Sequence, residues 1–350
     1  MMKCLRTTSL LFALSLVPLT VHAADAPAAA APAVFHCGLR DLTYKDPSTG
    51  AATQLTVYYP TPGGESSLRR DLYTLSAAQD AAPADGKLPV ILWSHGSGGT
   101  TLSHHDSAEW LARRGFIVIM PLHAGNNHFD HSGEGTARMW QGRPRALTAA
   151  LDAVLADKVL GAHVDVARVG AAGFSAGGYT VLAAAGAVGD MALIVKHCAT
   201  HASEDPEFCS LSHGQAADDA TKPTPLHVQD KRIRAVVAMA PVGALFGNDA
   251  MAELTSPVRL YRAEKDVVLR QPFHAERVHQ LLPKAEYVVV NNAGHYAFLS
   301  PFPAGLGPGV GPVAEDPPGF DRTAFHGKLN AELTQFFLRT LAPTAPAAAK

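Results

Sequence analysis

Charge is scarce in this chain, and so is cysteine. Charged residues fill only 17% of 350 positions, and Lys+Arg 29 against Asp+Glu 31 leave a formal net charge of -2. With no basic surplus there is nothing to grip a phosphate backbone or an anionic membrane surface, so nucleic acid and membrane partners are not expected. Four cysteines are too few for a disulfide-dense scaffold, and the 30 glycines follow no period, which excludes a collagen-like chain. Beyond the first two dozen residues, no unbroken apolar run reaches the roughly 18 residues needed to cross a bilayer. No internal repeat is apparent. What the chain does have is a hydrophobic share of 47%, enough for a large core and too much for wholesale disorder.

The beginning of the chain reads as a targeting segment. Lys3 and Arg6 precede an apolar stretch over 10–21, interrupted by Pro18, and Val21-His22-Ala23 offers small residues at the -3 and -1 positions of a cleavage site. This layout predicts a secretory signal peptide over 1–23, and with it a periplasmic or secreted protein. An Ala/Pro-rich lead-in over 24–34 and a similar tail over 342–350 flank one expected domain, 35–341. Export puts Cys37, Cys198 and Cys209 in an oxidising compartment. Cys198 and Cys209 lie eleven apart in a polar stretch and are the expected disulfide, leaving Cys37 packed.

Between the tails, short apolar runs alternate with helical patterns. Strands are expected at 53–59, 88–93, 116–120, 169–173, 233–239, 258–261 and 287–290, and helices at 107–114 (with Asp106 as N-cap), 146–160, 177–187, 275–282 and 323–341. Runs that lack alternation are what strands buried on both faces look like. The order predicts an α/β fold with a mainly parallel central sheet and helices on both faces.

Gly173-Phe174-Ser175-Ala176-Gly177 follows one of these strands and opens a helix. That setting suits a nucleophile elbow, in which glycines on either side relieve crowding around a strained serine. A serine hydroxyl needs a base, and the base needs an orienting acid; on this kind of sheet they follow in the order serine, acid, histidine. Asp266 stands just past the 258–261 strand, with Glu264 and Asp249 as rival acids. His295 follows the last strand in Asn291-Asn292-Ala293-Gly294-His295. The loop Ser94-His95-Gly96-Ser97-Gly98-Gly99 follows the 88–93 strand and can turn an amide inward, so the backbone N–H groups of Ser97 and Ala176 are the candidate oxyanion donors.

With those residues in place the chain resembles an α/β-hydrolase, and more narrowly the predicted dienelactone hydrolase group that includes platelet-activating-factor acetylhydrolase-like esterases. The resemblance spans about 38–341. It rests on Trp93-Ser94-His95-Gly96-Ser97-Gly98-Gly99, His123-Ala124-Gly125-Asn126-Asn127, Arg143-Pro144-Arg145, residues 173–180, Asp205-Pro206-Glu207-Phe208-Cys209, residues 233–241 and residues 294–298. It implies hydrolysis of small carboxylic esters by Ser175, Asp266 and His295, with no cofactor. Dienelactone hydrolases proper use a cysteine where Ser175 stands. The chain is also similar to cutinase-like polyester hydrolases in Thr56-Val57-Tyr58-Tyr59-Pro60 and the elbow, but has Ala176 where those usually carry Met.

An insertion over about 188–230 reads either as a cap over a pocket or as a surface excursion. His104-His105-Asp106 and the histidines of 123–131 lack metal-site spacing, so no metal is expected and loop histidines at a pocket rim are the reading. Trp140, Arg143 and Arg145 are candidates to orient a substrate, against the default of an arginine packing at a helix start. Two other classes remain open: a serine peptidase or amidase on the same fold, and a non-catalytic binding protein, which would be expected to carry a broken triad.

Overall fold

The computed structural model describes residues 35–212, 225–306 and 310–343. The expected signal peptide over 1–23, the lead-in over 24–34, the middle of the 188–230 insertion and all but the first two residues of the 342–350 tail lie outside the described residues.

Ten strands form one sheet. The first four are β1 His36–Lys45, β2 Ala52–Thr61, β3 Ser66–Arg70 and β4 Tyr73–Gln79; β5 Leu88–Ser94 and β6 Ile117–Pro121 follow. The remaining sheet strands are β7 Val164–Phe174, β10 Ile233–Met239, β11 Val258–Ala263 and β12 Glu286–Val290, and a two-stranded ribbon joins β8 Gly189–Asp190 to β9 Pro225–Leu226. The order is β12-β11-β10-β7-β5-β6-β2-β1-β4-β3. Pairing is parallel from β12 through β6 and antiparallel where β6 meets β2 and β2 meets β1.

The helices are α1 His105–Ala112, α2 Ala137–Ala156, α3 Ala176–Ala184, α4 Met191–His201, α5 Pro206–Ser212, α6 Ala275–Leu281 and α7 Arg322–Thr340. They cover both faces, and the strand side chains explain how. In β5, Leu88, Val90 and Leu92 enter the core shared with α2, α3 and α6, while Ile91 and Trp93 enter the one shared with α1 and α7. An unbroken apolar run is therefore an alternating strand with two dry faces. Burying each such side chain favours folding by about 1.5–3 kcal/mol.

Several expectations differ from what is seen. The strands β1, β3 and β4 lie outside the expected set, because their outward positions are polar and their inward ones few. Helix α2 begins nine residues before the expected start at 146, capped by the Thr136 hydroxyl on the Met139 amide, and it runs through Pro144. Asp106 is not the N-cap of α1: that position is His104, and Asp106 sits in the first turn. Its carboxylate is taken instead by Ser300 Oγ at 2.6 Å and His326 Nδ1 at 2.6 Å.

Candidate active site

Ser175 stands between β7 and α3 with φ 57 and ψ -120, a left-handed backbone that a side chain rarely adopts. The crossing is tight enough that a Cβ on Gly173 would overlap the Gly177 carbonyl and one on Gly177 would overlap the Ser94 carbonyl. Glycine is required at both for that reason. The turn thrusts the serine hydroxyl forward and puts it ahead of the N-terminus of α3.

The structure brings Ser175, His295 and Asp266 together from three separate crossings of the chain. His295 Nε2 lies 3.1 Å from Ser175 Oγ, and His295 Nδ1 lies 2.7 Å from Asp266 Oδ2. The other Asp266 oxygen accepts the Val268 amide at 3.0 Å and the Leu269 amide at 2.7 Å, so the carboxylate is fixed in the turn after β11. Both His295 and Asp266 are buried, with side chains 3% and 2% exposed. Of the rival acids, Glu264 is exposed and accepts the Asn292 amide at 2.6 Å, and Asp249 lies exposed in the turn after β10; neither meets His295.

The loop after β5 passes over the elbow. A Cβ on Gly96 would come within 3.4 Å of Ser175 Cβ, which places Gly96, the residue before Ser97, beside the nucleophile. Neither the Ser97 nor the Ala176 amide donates to an acceptor among the described residues. The loop is braced from beneath. His95 Nδ1 donates to Gly96 O at 2.6 Å and His95 Nε2 accepts the His123 amide at 3.2 Å, which defines a neutral tautomer. His123 Nε2 is 2.8 Å from Ser94 Oγ. Burial and then the nearby Arg143 push both imidazoles well below the usual histidine range, so both are neutral at pH 7.

Arg143 is not at a helix start but inside α2, on the apolar stripe that runs through Met139, Ala146, Leu147 and Ala150, and it is 2% exposed. Trp140 is buried one turn earlier against Tyr179, ring centroids 4.9 Å apart, while Arg145 is exposed. His104 and His123 are buried and do not line a rim as expected; His128 and His131 are exposed. Sequence reasoning did not anticipate that Arg143, Asn126, His95 and His123 form one network. The signal available was a single charged residue on an otherwise apolar helical stripe.

A second polar cluster joins the insertion to the acid's loop. His197 Nε2 lies 2.9 Å and His274 Nε2 2.7 Å from the same oxygen of Asp205, and the ligand-capable atoms of the three fall within 4.8 Å of one another. The donor set does not suit a metal. His274 Nδ1 accepts the Gly243 amide at 3.2 Å, so a neutral His274 keeps its proton on Nε2 and donates it to Asp205. Burial holds His274 below the usual range and so neutral. Burial would raise the Asp205 carboxyl, but hydrogen bonds from His197 and His274 outweigh it and hold Asp205 well below the usual carboxylate range. The cluster clamps α4 and α5, themselves bridged by the Cys198–Cys209 disulfide, to the 266–274 turn. Cys37 is a buried free thiol. The described part of the 188–230 insertion is thus two short helices and a ribbon tied to the site's edge.

The dienelactone hydrolase family profile matches residues 76–209. Among solved structures, a ferulic acid esterase from Streptomyces cinnamoneus superposes with a TM-score of 0.61 at 17% identity, over 91% of this chain and 96% of that one. A dienelactone hydrolase-like promiscuous phosphotriesterase from metagenomic libraries superposes with a TM-score of 0.51 at 15% identity, over 87% of this chain and 99% of that one. At these identities the likeness is one of fold. No curated protein matches the chain.

Proposed function

We propose that this chain, an α/β-hydrolase by fold, is an exported carboxylic ester hydrolase that works through Ser175, His295 and Asp266. The observation that carries the reading is the relay itself: a serine on a strained turn, 3.1 Å from one nitrogen of a buried imidazole whose other nitrogen is 2.7 Å from a buried carboxylate. Asp266 accepts the Nδ1 proton of His295 and so leaves a lone pair on Nε2 facing the serine. As Ser175 Oγ attacks the ester carbonyl, its proton passes to Nε2, and Asp266 offsets the imidazolium charge. The carbonyl oxygen, now negative, is received by the Ser97 amide of the loop after β5 and the Ala176 amide at the N-terminus of α3. Collapse of the tetrahedral adduct expels the alcohol, which takes the proton from His295. Water, activated by the same nitrogen, then releases the acid.

The substrate class is a small-molecule carboxylic ester, in line with the family match over 76–209 and the esterase among the fold neighbours. Export is supported by the Cys198–Cys209 disulfide, which suits an oxidising compartment. No helix among the described residues is long and apolar enough to cross a membrane.

The test is a fluorophosphonate probe read by intact mass and peptide mapping, beside p-nitrophenyl esters of graded acyl length. One adduct on Ser175, lost in Ser175→Ala together with ester turnover, is the expected result. A folded wild-type protein that takes up no probe and hydrolyses none of the esters overturns the reading.

A further inference from the structure

The Arg143 guanidinium is buried, yet each of its hydrogen bonds goes to an uncharged oxygen. A lone buried cation is costly, and an apolar residue of similar volume would serve packing better. We propose that Arg143 is a positioning residue for the oxyanion hole, one planar fork that holds both donor segments in register; the inference rests on the hydrolase reading above. Three legs carry it. One terminal nitrogen donates to the His95 carbonyl, two residues before the Ser97 amide, and to Ser94 Oγ at 3.3 Å. The other donates to Asn126 Oδ1 at 2.6 Å, and that same oxygen accepts the Ser97 hydroxyl at 3.4 Å. The Nε donates to Thr180 Oγ1 at 3.1 Å, and the Thr180 hydroxyl donates in turn to the carbonyl of Ala176 at 2.7 Å.

The two donor amides thus come from positions 97 and 176, on separate chain segments, and Arg143 reaches both. A rigid guanidinium can satisfy three directions at once, whereas an ammonium is a point charge on a flexible stem. The positive charge adds a second effect. His95 and His123 are held neutral, so Arg143 is the cation set behind the loop, in a low-dielectric environment where its field favours the negative oxygen of the tetrahedral adduct. Burial pushes the guanidinium down only to about 9, so it is charged at neutral pH.

The experiment compares Arg143→Lys, Arg143→Met and Asn126→Ala with wild type. The measurements are kcat and KM on a p-nitrophenyl ester, Ki for a trifluoromethyl ketone that forms a tetrahedral oxyanion on serine, and melting temperature. Asn126→Ala severs one leg and leaves the guanidinium in place, so it reports even if an Arg143 variant does not fold. Removing an oxyanion donor outright costs about 100- to 1,000-fold in kcat. Disordering the donors should cost about 10- to 100-fold in Arg143→Lys with KM little changed, more in Arg143→Met, and less in Asn126→Ala. The ketone Ki should rise by the same factor as kcat/KM falls. A merely structural role would lower the folded fraction, and so Vmax, without moving Ki. Unchanged ketone Ki in the folded variants overturns the inference while the hydrolase reading stands. A wild-type protein that binds no ketone, takes up no fluorophosphonate and cleaves no ester overturns the hydrolase reading and the inference with it.

Discussion

Replacing Asp266 with Asn is the most discriminating perturbation of the relay, because the structure dictates which way the amide must face. Asp266 Oδ1 accepts two backbone amides, from Val268 at 3.0 Å and Leu269 at 2.7 Å. An asparagine can keep both bonds only by placing its oxygen there, which turns its NH2 toward His295 Nδ1. Two donors cannot share that 2.7 Å contact, so the imidazole must move its proton to Nε2. It then presents a donor to Ser175 Oγ instead of a lone pair, and the hydroxyl has no base. The equivalent substitution in a Ser-His-Asp relay lowers kcat by about 10⁴-fold. At 1.36 kcal/mol per tenfold that is about 5 kcal/mol of barrier. The assay is initial-rate hydrolysis of a p-nitrophenyl ester at pH 7.5, with circular dichroism melts alongside. KM and melting temperature should change little, since the backbone bonds and the volume are preserved. An Asp266→Asn protein that keeps more than a tenth of wild-type kcat would refute the assignment of Asp266 as the orienting acid.

Other outcomes follow from the same geometry. Replacing Cys198 and Cys209 with serine opens a loop closed over 11 residues, a loss of about 3 kcal/mol by loop-closure entropy, measurable by urea unfolding. Equal stability of bridged and unbridged forms would count against that magnitude. Gly177→Ala puts a methyl into the Ser94 carbonyl and 2.7 Å from that of His95. It should cost about 1–3 kcal/mol by overpacking and lower kcat more than tenfold, with unchanged kinetics as the contrary result. Burial would raise the Asp106 carboxyl, but His326 and Ser300 hold it well below the usual range, and Asp205 is depressed likewise. Both therefore add stability above the ordinary carboxyl pKa near 4, and that stability is lost as pH falls and the unfolded chain takes up protons the folded one refuses. Melting temperature should drop on acidification from pH 6 to 3, less steeply in Asp106→Asn; equal slopes would contradict this.

The parts of this molecule that sequence reveals are those where one residue type has one reason to be there. Gly173 and Gly177 have no alternative at the elbow, and Asp266 and His295 each follow a strand that shows in the sequence as a short apolar run, so chain order leads to them directly. Strand β5 is legible because all its side chains but Pro89 are buried, whereas β3, with Ser66, Ser67 and Arg69 exposed, resembles a loop. The first half of α2 is hidden by Gly142 and Pro144, each of which reads as a break; packing of Met139 and Trp140 into the core overrides that local preference. Arg143 was visible as a residue but not as a brace, since its partners at Ser94, Asn126 and Thr180 converge only in three dimensions. Asp106 shows the same limit. Its side chain suits a helix cap, but Ser300 and His326, some two hundred residues on, claim it.

The two ends of the sheet bear on how the protein behaves at high concentration. A terminal strand offers unpaired amides and carbonyls to any neighbour that can dock alongside. Here one end is β3, five residues long and closed by Arg69 and Arg70, and the other is β12, which opens with Glu286 held by Arg259 and Arg339. Shortness and fixed charge at both borders make strand-by-strand addition of a second molecule unfavourable. Swapping Arg69 and Arg70 for valine would remove that protection at the β3 border, and the first sign would be turbidity on concentration with ester turnover per dissolved molecule intact.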